Sequence, residues 1–329
     1  MVIDMETHYL EADSIANLAR KAIELVSEEG VPVKRWLGEW AMQKPAIQTM
    51  HEVHNVVLTL KNPRMRWNTR VNSGILTEVL DYLLGLNAGF VQHSFWYFYD
   101  QWRTVNGEKY PYSYGERIFG DQNEINQWKL VEEMLQKDAT TRHACLTIHR
   151  PIDRTREYIP CTLDHFFQLT ENNKLSMTSI MRSQDALRGL FLDLFAYSNY
   201  LEQMWMGSVA KDETIQLGQY THYELNLHIY EKDLNKIDTE WAKPRDCYPE
   251  IVPSQSGYLN EKRKRAVYHI LCWIFKKPTV PYANSLNMFY NQLDSYWKEW
   301  LYFIDEEVNG KSYNYECKDI EWCLNARKK

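Results

Sequence analysis

Glycine is scarce in this 329-residue chain, 13 in all, and none of the signatures GxGxxG, GxxxxGK[ST] or GxSxG occurs. Each of those motifs needs glycine where backbone turns tightly or approaches a ligand, so dinucleotide-binding, P-loop and serine-hydrolase readings lack support. The six cysteines, at 145, 161, 247, 272, 317 and 323, form no CxxC pair. Their irregular separations argue against a secreted disulfide framework and for free thiols in a reducing compartment. Long apolar runs are also missing: none approaches the roughly 18 residues of a membrane span, and the acidic opening MVIDMETHYLEADS has no apolar signal core. The expected location is cytoplasmic, with no membrane partner. Nor is there an excess of positive charge, since 38 Lys and Arg face 44 Asp and Glu for a net −6. That balance disfavours polymeric nucleic acid as a partner. The one basic cluster, Lys262 to Arg265, reads as the solvated face of a helix.

What the chain has in plenty is core material. Hydrophobic residues make up 44%, and 12 Trp, 22 Tyr and 11 Phe exclude a disordered or low-complexity chain. With no internal repeat and no Gly/Ser linker, a single folded domain over residues 1–329 is expected. Ile75, Leu76, Val79, Leu80 and Leu83 recur at helical spacing, with Gly85 as the stop and Glu78 inside the apolar stretch. Ile125, Trp128, Val131 and Leu135 mark a second amphipathic helix over 121–137. Residues 143–150 alternate, and 158–170 with 175–183 read as two strands of a hairpin closed by Thr170 and Leu175. In that register paired positions sum to 345, so Leu163 faces Arg182 and Cys161 is a diagonal neighbour of the arginine; a one-residue slip would separate them. A helix over 193–206, an alternating strand over 220–230 carrying His222, His228 and Tyr230, a Pro-punctuated loop and helices over 266–275 and 287–304 complete an α+β reading with a mixed or antiparallel sheet.

A cysteine after proline and near an arginine is a physically reasonable nucleophile, because a nearby cation favours thiolate. Any one of six free cysteines is nonetheless more often a small buried hydrophobe. His51-Glu52-Val53-His54 is one residue short of HExxH, so the two histidines do not share a helical face and no metal is expected.

The order of residues raises Cys161 above the others. Ile159-Pro160-Cys161-Thr162, then Met181-Arg182-Ser183-Gln184-Asp185, Gly189, Asp193 and His228-Ile229-Tyr230 resemble the thymidylate synthase superfamily in order and spacing. Upstream, Thr77-Glu78-Val79-Leu80, Tyr114-Gly115 and Asp138 to His143 resemble its glutamate helix, Tyr-Gly segment and phosphate loop. The likeness covers roughly residues 70 to 235, leaving 236–329 as a family-specific C-terminal part, and implies a thymidylate-synthase-like mixed sheet packed with helices in a homodimer. One departure is informative: the family's pyrimidine-reading asparagine is Asp193 here. Asparagine can accept from uracil N3–H and donate to O4, whereas a carboxyl group can accept from the cytosine 4-amino group and share a proton with N3. Asp193, together with Cys161-Thr162 and Met181-Arg182, is more similar to the (deoxy)cytidylate 5-hydroxymethylase branch.

That resemblance implies roles. Cys161 would add to C6 of CMP or dCMP, making C5 nucleophilic toward the methylene of 5,10-methylenetetrahydrofolate. Asp193 would hold N3 and the amino group, Glu78, with a raised pKa, would organise water and proton transfer, and Tyr114 would assist loss of the C5 proton. Arg182 and Ser183 would bind the 5′-phosphate, with Arg142 and His143 supplied by a second subunit. Arg35 would stand where the family has its amino-terminal phosphate arginine. His228 and Tyr230 would bond the sugar, and Asp185, beside Gly189, would contact the pterin. Water attack on the resulting exocyclic methylene gives the 5-hydroxymethyl nucleotide, whereas hydride from the folate gives 5-methyl. Two rivals stay open: a thymidylate-synthase-type methyltransferase acting on dUMP or UMP, and an inactive nucleotide- or RNA-binding relative.

Overall fold

The computed structural model describes residues 6–36, 47–85, 114–120, 125–155, 159–239, 242–245, 257–276, 286–316 and 320–321. Cys247, Cys317, Cys323, Pro249, Pro253 and the start of the helix expected from residue 121 lie outside the described residues. The main elements are β1 (His8–Ala12), α1 (Ile15–Glu29), β2 (Val31–Trp36), β3 (Ile47–Leu60), α2 (Ser73–Leu84), α3 (Tyr114–Phe119), α4 (Gln127–Lys137) and β4 (Cys145–Thr147). They continue with β5 (Thr162–Leu169), β6 (Lys174–Met181), β7 (Gln184–Asp185), α5 (Gly189–Ser208), β8 (Gln216–Tyr230), α6 (Glu261–Ile274), α7 (Leu286–Tyr290) and α8 (Ser295–Asn309). The chain divides into two compact units, residues 1–66 with 126–246, and residues 67–125 with 247–329. No helix among the described residues is long and apolar enough to cross a membrane.

The first unit is built on a mixed sheet in the order β1-β3-β8-β6-β5-β4, with β2 added to β3 and β7 to β8. The long strand β8 runs antiparallel to β3 and parallel to β6. Alternation decides which side chains turn inward: Leu175, Met177, Ser179 and Met181 of β6 and Tyr220, His222 and Glu224 of β8 are buried. Helix α5 packs against that face and touches β6, β7 and β8. It is buried nearly all round, as a central helix must be, which leaves little amphipathic signal. It starts at Gly189, earlier than the apolar spacing suggests, because Asp185 Oδ1 accepts the N–H groups of Leu187 (2.9 Å) and Arg188 (3.1 Å) ahead of it. On the opposite face Asp164, Ile180, Tyr223, Val57 and Tyr9 lie in register across five strands. Tyr9 is exposed and the rest are half-buried.

The β5–β6 hairpin exists, but its register corrects the expected one. Thr170 N–H donates to Lys174 O (2.9 Å), leaving a three-residue loop whose last residue, Asn173, has φ 52°. Asparagine tolerates that left-handed conformation, and the type of loop places a bulge there. Paired positions therefore sum to 344 from Leu169–Leu175 through Asp164–Ile180, not 345. A second irregularity between Thr162 and Asp164 shifts the ladder again, so that Thr162 pairs with Met181. The bulged Leu163 gives its carbonyl to Ile148 N–H (2.8 Å) and His149 N–H (3.1 Å). Two one-residue shifts cancel in face, and Cys161 stands opposite Arg182 itself, with Arg182 N–H on Cys161 O at 2.8 Å.

In the second unit α2 begins where Asn72 Oδ1 accepts Ile75 N–H (2.9 Å) and stops, as its spacing predicts, at left-handed Gly85 (φ 67°). Helix α3 approaches so closely that a Cβ on Gly115 would lie 2.8 Å from the Asp81 and Tyr82 carbonyl oxygens. The helix expected over 287–304 is two helices. Asp294 Oδ1 accepts Trp297 N–H (3.1 Å) and starts α8 afresh. Trp67 and Trp300 meet edge to face at 5.7 Å in the aromatic core of this unit.

Candidate active site

Cys161 lies half-buried at the entry to β5. Arg182 Nε donates to Pro160 O (2.9 Å) and Nη2 to Ile159 O (2.5 Å), so one guanidinium holds the two peptide carbonyls that precede the thiol. Strands β6 and β7 keep the same offset against β8, and Arg182-Ser183 is the break between them. Burial pushes the Cys161 thiol up from its ordinary value, Arg182 opposes this, and Asp193 and Glu224 reinforce it. Arg182 acts in the expected direction, but desolvation of the thiolate is the larger effect.

Asp193 comes from the first turns of α5 and is buried. Gln184 Nε2 donates to its Oδ2 at 2.7 Å, while Gly189 leaves room for that amide, 3.0 Å from where a Cβ would sit. Burial pushes the Asp193 carboxyl up to about 6, with His222, Gln184 and Tyr197 pulling down and Glu224 pushing up. A carboxyl poised there exchanges a proton readily near neutral pH.

Asp185 on β7 pairs with His228 on β8. Burial raises the Asp185 carboxyl and lowers the His228 imidazole, each group opposing the other's shift. Tyr230 stands edge-on to His228 at 5.3 Å, and its phenol is pushed up by burial and by Asp185 and Cys161. The charge of Arg182 reaches both Cys161 and His228. The structure therefore brings Cys161, Arg182, Asp185, Asp193, His228 and Tyr230 into one electrostatic neighbourhood, with Ser183 half-buried beside Arg182. Arg142 and His143 are exposed in the loop before β4, which Asp138 shapes by accepting Thr140 N–H at 2.9 Å. Glu78 and Tyr114 belong to the second unit, where Tyr82 links them: its hydroxyl donates to Glu78 Oε1 (3.1 Å) and its ring lies 5.4 Å from that of Tyr114.

Arg35 is engaged by Glu52, with Nε and Nη2 on the two carboxylate oxygens at 2.8 and 2.6 Å. Glu52 also accepts from Asn226 Nδ2 (2.8 Å), and Asn226 Oδ1 meets His228 Nδ1 at 3.0 Å. This chain of contacts orients His228 from behind. Glu52, Asn226, Gln184, His222 and Glu224 had no role from sequence. For His222, Glu224 and Asn226 the signal was a run of polar residues at alternate positions of β8, whereas Glu52 on β3 and Gln184 on β7 lie outside that run. Among the described residues no group of three His, Cys, Asp or Glu side chains is placed to hold a metal ion.

Residues 51–263, more than half of the chain, match the family model described as thymidylate synthase. The chain belongs to the thymidylate synthase family. A Methanosarcina acetivorans protein named "Putative thymidylate synthase" is 27% identical over 134 residues, covering 40% of this chain and 59% of that protein. The match thus spans well under two thirds of that relative's length. A Pseudomonas phage M6 protein named deoxyuridylate hydroxymethyltransferase is 30% identical over 86 residues, 26% of this chain and 23% of its own. Thermostable thymidylate synthase A from Bacillus subtilis shares the fold, with TM-score 0.55 and 15% identity over 70% of this chain and 84% of that one.

Proposed function

We propose that this thymidylate synthase family member transfers a one-carbon unit to C5 of a cytidine monophosphate, CMP or dCMP, and releases the 5-hydroxymethyl nucleotide. The observation that carries the reading is Asp193: a buried carboxyl poised at about 6, fixed by Gln184 and in electrostatic reach of Cys161. When Cys161 adds to C6 of cytosine, electron density moves to N3. A protonated Asp193 donates to N3 while its other oxygen accepts from the 4-amino group, so charge is neutralised where it forms. Asn-type recognition of uracil, donating to O4, is replaced by this proton transfer.

5,10-Methylenetetrahydrofolate, as cosubstrate, supplies the one-carbon unit. Asp185 fits a pterin contact through Oδ2, which has Arg188 Nε at 3.9 Å, since Oδ1 serves the turn before α5. Arg182 and Ser183 receive the 5′-phosphate, and His228, oriented by Asn226, bonds the sugar with Tyr230. Glu78 and Tyr114 take their roles in water and proton handling from the family pattern. A homodimer that contributes Arg142 and His143 in trans is supported by the half-exposed row Ile180, Tyr223 and Val57, which a second sheet would cover.

A second reading, hydroxymethylation or methylation of dUMP or UMP, is favoured by the names of the archaeal and phage relatives. A panel of CMP, dCMP, UMP and dUMP with 5,10-methylenetetrahydrofolate, read by product mass, separates the two. Hydroxymethyl product from a cytidylate supports the proposal; turnover confined to uridylates, or methyl product with dihydrofolate, overturns it. Release of tritium from the C5 position, lost in Cys161→Ala, distinguishes either enzyme from an inactive binding relative.

A further inference from the structure

The inward face of β8 carries Tyr220, His222 and Glu224 at alternate positions, and all three are fully buried. Their neighbours on the adjoining strands are apolar or neutral: Met181 and Val56 flank Glu224, and Ser179 and Leu58 flank His222. An ionisable pair in such a place is costly, and Glu224 Oε2 has no hydrogen-bond partner among the described residues. The Tyr220 hydroxyl contacts His222 Nδ1, and His222 Nε2 contacts Glu224 Oε1. Above them, Tyr197 of α5 stacks on the His222 ring at 6.1 Å and meets the Thr162 hydroxyl at 2.6 Å. Tyr197 lies one helical turn beyond Asp193, and Thr162 follows Cys161 directly. The His222–Glu224 pair is thus joined through Tyr197 to the turn that carries Asp193 and to the residue after Cys161.

We propose that the buried His222–Glu224 pair acts as a positioning device for the reacting groups, His222 through Asp193 and Glu224 through Cys161. The part through Asp193 rests on the cytidylate reading, and the part through Cys161 does not. The ionisable groups within reach are His222 and Tyr220 on the same strand, Asp193 and Tyr197 from α5, Cys161 and His165 from the β5 side, and Arg182 from the β6–β7 break. From β3, Val56 and Leu58 contribute no charge. His222 is the stronger of the two influences on Asp193 and pulls its carboxyl down, while Glu224 pushes the Cys161 thiol up. Such a pair keeps the nucleophile as a thiol in the free enzyme and keeps Asp193 within exchange range of its proton. Neither residue touches substrate in this scheme; both act through a neighbour.

Two variants, each checked for folding by circular dichroism, test the two halves separately. In Glu224→Gln, the pH of half-maximal iodoacetamide labelling of Cys161, resolved by peptide mass from the other five cysteines, should fall. Glu224→Asp should keep the parent profile. An unmoved labelling curve in folded Glu224→Gln overturns that half, and this readout needs no substrate. In His222→Gln, the alkaline limb of kcat for the nucleotide selected by the panel, where protonated Asp193 is lost, should move to higher pH, with KM little changed. A limb that stays in place while kcat falls evenly would mean a merely structural role. If the panel selects uridylates, the cytidylate reading fails while the labelling result still decides the role of Glu224.

Discussion

The backbone N–H of Arg182 donates to the carbonyl of Cys161 at 2.8 Å, while its guanidinium grips the carbonyls of Pro160 and Ile159. The arginine is thus both the cation beside the thiol and the clamp on its peptide. Arg182→Gln should move Cys161 labelling to higher pH, opposite in sign to Glu224→Gln, because Arg182 is the group that opposes burial. Arg182→Lys should preserve the labelling pH better than it preserves kcat, since an ammonium cannot span both carbonyls. Equal labelling curves in all three proteins would contradict this.

Asp193 makes stability depend on pH with a definite sign. Its carboxyl is raised from 3.8 to about 6, so the folded protein binds more protons than the unfolded chain between those values. Stability is therefore lost as pH rises from about 4 to 6 and stays lower above that window. Asp193→Asn, which still accepts from Gln184, should raise Tm at pH 7.5 by an amount absent at pH 4, with an upper bound of about 3 kcal/mol.

His165 works in the opposite direction. Burial, with His222 nearby, lowers its imidazole from 6.5 to about 3, so the unfolded chain takes up the extra proton first as pH falls. Stability is lost as pH drops from 6.5 toward 3. His165→Gln, able to bond Ser179 Oγ as His165 Nδ1 does at 2.7 Å, should flatten Tm against pH across that window. A slope as steep as in the parent would remove His165 from the acid response.

Arg35 separates a structural ion pair from a phosphate ligand. Its partner Glu52 has a side chain 1% exposed, so Arg35→Ala leaves a buried carboxylate short of its bidentate partner. Urea unfolding should show a loss of about 2 to 3 kcal/mol. Nucleotide KM should rise by less than about tenfold, or about 1.4 kcal/mol. A large rise in KM with unchanged stability would restore Arg35 as a phosphate ligand.

Gly115→Ala sets a methyl group 2.8 Å from two backbone oxygens of α2. Backbone must shift to admit it, at a cost of about 1 to 3 kcal/mol. The shift would carry Tyr114 away from Tyr82, and near-UV circular dichroism should report the lost ring contact. An unchanged spectrum and Tm would mean that α3 yields freely.

Much of this molecule could be read from residue order. The α2 stop at Gly85, the hairpin, the strand carrying His228 and Tyr230, and the α+β class follow from spacing and turn chemistry. The N-terminal strands did not, because β3 turns Glu52 and His54 where apolar residues would mark a core, and only the folded chain brings Arg35 to Glu52 and Asn226 to both. The start of α5 was hidden because its N-cap, Arg188, offers no capping side chain, and Asp185 of β7 instead holds the turn that precedes it. Family order picked out Cys161, Arg182, Asp185, Asp193, His228 and Tyr230, which the sheet gathers. It was silent on His222 and Glu224, whose meaning depends on which face of β8 meets α5.

The bulge at Leu163, pinned by two amides, isolates the far end of the β5–β6 hairpin from the thiol. Changes of length at the Glu171–Asn173 tip are absorbed before they reach Cys161, so the tip is a natural graft point for an epitope or a fluorophore. Removing Leu163 would straighten the ladder through Asp164–Ile180 and Thr162–Met181 and leave Cys161 opposite Arg182, at the expense of the carbonyl that Ile148 and His149 share.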